Sequence, residues 1–121
     1  MVEQILPQEN SASNKLPFAD AHCDFLYGMI YYDYDIQTVS GHQSMSLRNM
    51  AAGGVKLQFF AAWTDMLLKQ NPLSQCLNMI DSYYRMLESN PCFVPFSRDF
   101  DVTQDKIATV LTVEGGEAVE G

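Results

Sequence analysis

One run of sequence constrains this fold more than any other. Val55-Lys-Leu-Gln-Phe-Phe-Ala-Ala-Trp63 is apolar at nearly every position. A strand with one wet face alternates apolar and polar residues, so this one must be covered on both faces, as strands of parallel sheets are. Ile107-Ala-Thr-Val-Leu-Thr-Val113 is a second and clearer strand. Between them Asn71-Pro72 supplies an N-cap and a proline at the first helical position. Leu73, Cys76, Leu77, Ile80, Tyr84 and Leu87 then follow at helical spacing. That rhythm predicts an amphipathic helix over 72–89, packed on the sheet. Its Met79 and Met86 read as gap-filling or surface residues. Asn90-Pro91 stops it.

The remaining segments fit the same plan. Leu16 to Asp24 reads as a short buried strand ending in polar residues, followed over 25–43 by a helical turn and a loop. Ser44 or Ser46 can cap a short helix that turns Leu47, Met50 and Ala51 inward, and Gly53-Gly54 ends it. Phe93 to Phe96 reads as a short edge piece, because Pro95 cannot donate to a ladder. Residues 99–105 read as a helical turn. The polar residues 1–15 form a lead-in to one domain over 16–121. Strand, helix, strand, helix, strand is the order of parallel βα units, so the fold class is α/β.

Composition narrows the function. A net charge of -8 argues against nucleic acid, which requires a basic patch, and against an anionic membrane surface. No apolar stretch approaches the roughly 18 residues of a membrane span. Met1 to Lys15 has no apolar core of the kind a secretory signal needs. Three cysteines without such a signal point to thiols in a reducing cytosol, so the expected location is cytoplasmic.

Two strand ends carry the candidate chemistry. In His22-Cys23-Asp24, alternation turns His22 and Asp24 to one face and Cys23 to the other. An imidazole nitrogen and a carboxylate oxygen on one face can hold a divalent ion together. The same pair also reads as a capping Asp beside a surface His. Glu114 ends the strand 107–113 and precedes Gly115-Gly116, whose backbone can turn sharply and leave room for a ligand. It also reads as an ordinary exit from a strand. Catalytic groups of α/β barrels sit at the C-terminal ends of strands, which favours the chemical reading of both. His42 reads as a plain loop residue. Tyr27, Tyr31, Tyr32, Tyr34 and Trp63 read as rim packing or as the lining of a substrate entrance. Gln58, inside an apolar strand, is expected to point into the barrel. Cys23 reads as structural.

Asp20-Ala-His-Cys-Asp24, Ala52-Gly-Gly-Val-Lys-Leu-Gln-Phe-Phe60 and Thr112-Val-Glu-Gly-Gly116 together resemble the membrane dipeptidase (renal dipeptidase) family of zinc metallopeptidases. The resemblance spans about residues 17 to 121. It implies an amidohydrolase-type (β/α)8 TIM barrel, of which this chain would be the N-terminal portion, about three βα units. It implies two zinc ions per complete site, with His22 and Asp24 on one metal and Glu114 bridging both. A hydroxide held between the metals would attack the peptide bond of a dipeptide. The family's further histidine ligands, its carbonyl-polarising histidine, and an Asp and an Arg match nothing here. Catalytic and substrate-binding residues are therefore expected beyond residue 121, and this stretch alone is expected to be inactive. The resemblance also admits a homodimer of the full-length protein. Two alternatives stand beside it: another binuclear amidohydrolase acting on a different amide or ester, and a non-catalytic α/β binding module.

Overall fold

The computed structural model describes residues 16–120, and the lead-in assigned to residues 1–15 lies outside them. The strands are β1 (Phe18–Asp20), β2 (Val55–Trp63), β3 (Phe93–Pro95) and β4 (Ile107–Glu114). The helices are α1 (Phe25–Tyr31), α2 (Leu47–Gly53) and α3 (Pro72–Ser89), and a 3-10 turn over Glu117–Val119 follows β4. The sheet is parallel throughout, in the order β1-β2-β4-β3. β3 therefore takes the edge as an outrigger on β4. Phe96 N–H donates to Thr109 C=O, so the hydrogen-less nitrogen of Pro95, one residue earlier, faces away from the ladder.

Caps fix the helix limits. Ser46, not Ser44, caps α2 by accepting from Asn49 N–H, and Gly54 ends it at φ 85, a left-handed conformation that glycine adopts without strain. Asn71 accepts from Ser74 N–H at the start of α3, with Pro72 in the first turn. The Asn90 amide donates to Met86 C=O at 2.6 Å and closes α3. Residues 97–104 form two successive turns closed by Phe100 N–H to Ser97 C=O and Gln104 N–H to Asp101 C=O, not the helical turn expected. Asp101 diverts the chain there by accepting from both the amide and the hydroxyl of Thr103, which also holds its carboxyl below the usual carboxylate range.

The core lies between the sheet and the helices. Phe60 is fully buried, and its ring meets Phe93 of β3, Tyr83 of α3 and Phe25 of α1 at 5.8, 6.0 and 6.5 Å between centroids. Strand alternation then assigns Gln58, Phe60 and Ala62 to the helix side, and Leu57, Phe59, Ala61 and Trp63 to the other side. Gln58 is therefore directed toward the helices and not into a barrel interior; it is wholly buried and meets the Cys23 thiol. Thr109, its partner on β4, faces the same way and shares a 2.7 Å hydrogen bond with the Tyr83 hydroxyl.

The buried face of α3 also differs from the expected stripe. It consists of Gln75, Cys76, Met79, Tyr83 and Met86, while Leu73, Leu77 and Tyr84 are exposed. The two stripes are one residue apart, about 100° around the helix. Met79 and Met86 thus belong to the core, where the flexible thioether adapts to the aromatic cluster around Phe60.

Candidate metal centre

The site begins with an irregularity in β1. Asp20 is paired with Gln58. Beyond it, Cys23 N–H donates to Phe59 C=O and Cys23 C=O accepts from Ala61 N–H, which brackets Phe60. The first chain thus advances three residues while β2 advances two. Such a bulge ends regular pairing at Asp20 and re-aims the following side chains. The strand expected over 16–24 is shortened to Phe18–Asp20 for this reason. Asp20 accepts from His22 N–H at 3.2 Å and steadies the bend.

Past the bend, the residues segregate as alternation requires. Cys23 packs with the core, and burial pushes its thiol up to about 12, so it stays protonated at neutral pH. His22 and Asp24 emerge on the other face, each about half exposed. Asp24 occupies the N-cap position of α1, yet its side chain makes no capping hydrogen bond. Instead its Oδ1 lies 3.2 Å from His22 Nε2. The reading of Asp24 as a simple cap is thereby removed.

Glu114 joins them from β4, at the register position opposite Trp63. Its Oε2 lies 3.3 Å from His22 Nε2. One donor atom from each of His22, Asp24 and Glu114 lies within 4.8 Å of the other two. Gly115 turns the chain away directly afterwards at φ 78, where a Cβ would run into the Glu117 carboxylate.

The donor set suits a divalent cation. Two carboxylate oxygens this close repel each other, and a cation among them offsets that cost. Ligand atoms about 2.1 Å from a tetrahedral zinc stand about 3.4 Å apart, close to the two spacings observed. His42 takes no part; its contact with Tyr34 is through its backbone carbonyl.

An aromatic group borders the cluster. Tyr27 lies 4.5 Å from Tyr31 and 5.3 Å from Trp63, ring to ring, and Tyr32 lies 5.7 Å from Tyr34. Tyr27 donates to Asp65 Oδ2 at 2.8 Å, and this hydrogen bond, chiefly, pushes its hydroxyl up to about 12. Asp65 and its clamp Gln75 carried no signal in the sequence, because the contact to Tyr27 spans 38 positions.

A parallel α/β sheet that gathers His, Asp and Glu at the C-terminal ends of its strands has its donor groups where barrel enzymes carry theirs. The family model described as Membrane dipeptidase (Peptidase family M19) matches residues 6–121. The chain belongs to that family, and β1, β2 and β4 are consistent with part of its barrel, while β3 lies out of chain order at the edge. A search of curated proteins returned no match.

Proposed function

We propose that the full-length protein is a zinc-dependent dipeptidase and that His22, Asp24 and Glu114 form one side of its two-metal site. The convergence of those three donors at two strand ends carries this reading. When bound, the metal pair supplies a water of lowered pKa and a polarised peptide carbonyl. The chain's own residues hold and orient that site. The Asp20 carboxylate and the bulge aim His22, the Cys23 amide and carbonyl lock the segment to β2, and Gly115 frees Glu114 from the loop that follows. The substrate is a dipeptide, nucleic acid and membrane are not partners, and the location is cytoplasmic. The family match supports the dipeptide substrate, net acidity weighs against nucleic acid, and three cysteines without a secretory signal in residues 1–15 support the cytoplasmic location. Among the described residues no helix is long and apolar enough to cross a membrane.

Metal analysis of the full-length protein, together with dipeptide hydrolysis by His22→Ala and Glu114→Ala, tests the proposal. Both variants should lose bound zinc and activity. Retained hydrolysis in both would overturn the assignment, and a panel of dipeptides against cyclic amides and lactones separates it from other binuclear amidohydrolases. A non-catalytic module leaves the convergence of the three donors at the strand ends with less to explain it, which is why it ranks last.

A further inference from the structure

We infer that Asp65 is a positioning residue, which fixes the Tyr27 ring against Trp63 so that the two form a rigid aromatic wall beside the His22, Asp24 and Glu114 cluster. Trp63 is the register partner of Glu114 and lies on the same face of the sheet, with over a third of its surface exposed. Tyr27 stands one helical turn past Asp24, and its ring lies 5.3 Å from that of Trp63. Packing alone would leave Tyr27 free to turn about its side-chain bonds. Its hydroxyl is instead held by Asp65 Oδ2 at 2.8 Å.

Asp65 is itself immobilised. Its amide donates to Gln75 Oε1 at 2.8 Å, its carbonyl accepts from Gln75 Nε2 at 3.0 Å, and its Oδ1 accepts from Leu67 N–H at 2.9 Å. Gln75 is fully buried in α3, so its amide is anchored to the core. A chain of hydrogen bonds therefore runs from the core to the edge of the candidate centre. Buried polar groups of this kind specify one geometry because every partner must be satisfied. A pre-ordered aromatic wall binds an apolar or aromatic side chain with little ordering cost. Resting on the dipeptidase reading, the occupant is the side chain of one residue of the dipeptide.

Trp63 is the only tryptophan of residues 1–121, and subtracting the spectrum of Trp63→Phe isolates its emission in the full-length protein. Asp65→Ala and Tyr27→Phe should both shift the Trp63 emission, while Asp65→Asn, whose oxygen can still accept from Leu67 N–H and whose NH2 can donate to the Tyr27 oxygen, should retain the wild-type spectrum. In hydrolysis by the full-length protein, Asp65→Ala should raise KM for phenylalanine-containing dipeptides relative to Gly-Gly by roughly 3- to 10-fold, the range an aromatic contact supports. Asp65→Asn should restore it. Equal effects on Gly-Gly and on the aromatic dipeptides would overturn the wall. An unchanged emission in both Asp65→Ala and Tyr27→Phe would overturn the positioning role. If the wild-type protein cleaves no dipeptide, the substrate reading fails, and the emission of the three variants still decides the role of Asp65.

Discussion

The two faces of the sheet treat adjacent residues in opposite ways. Cys23 lies on the helix side among Phe25, Phe60 and their neighbours, and its thiol is held neutral by burial. His22 and Asp24, one position to either side, stand half exposed beside a second carboxylate. On one face, side chains stabilise the protein by leaving water. On the other, they keep enough water and charge to receive an ion. Alternation allows both within three residues, and it lets the candidate site be altered at little cost to the fold.

That contrast can be broken by stability measurements. Phe60→Ala empties the centre of the aromatic cluster and should lower the unfolding free energy by about 3–5 kcal/mol, read by denaturant titration. A loss below about 1 kcal/mol would mean that the helix side is not the stabilising one. Tyr83→Phe should cost about 1–2 kcal/mol, because it leaves the buried Thr109 hydroxyl with only a long contact to Val94 C=O. The smallest effect belongs to the other face. With both proteins metal-free, His22→Ala should change stability by less than about 0.5 kcal/mol, since exposed polar contacts contribute little, yet it should abolish zinc binding. Cooperative unfolding at much lower denaturant in His22→Ala would show that the cluster supports the fold and that the two faces are not independent.

Residue patterns that depend on near neighbours were readable in the chain. The apolar run 55–63 marked a strand and β2 occupies that span, though among the described residues the helices cover only the Phe60 face. Asn71-Pro72 and Asn90-Pro91 bounded α3 at Pro72–Ser89, since caps and proline sterics act over a few residues. The two-residue spacing of His22 and Asp24 set them apart from Cys23, because strand side chains alternate. The end of β4 at Glu114 was visible too, whereas β1 stops at Asp20, short of the end read at Asp24.

What depended on distant partners was not readable. The stripe of α3 that enters the core was displaced by one residue, because Phe60, Phe93 and Phe25 choose the face and none lies within the helix. The inward aim assigned to Gln58 failed because the sequence does not say which parity of β2 meets the helices. The bulge after Asp20 arises only when β1 is laid against β2. Asp65, clamped by Gln75 and holding Tyr27, is an ordinary loop aspartate until the chain closes on itself. By itself, then, the sequence determined which residues could act together along one strand and where β2, α3 and β4 lie. Tertiary structure decided which faces meet and brought Glu114 to His22 and Asp24, because that convergence is made by pairing β1 and β4 on either side of β2 and not by any local propensity.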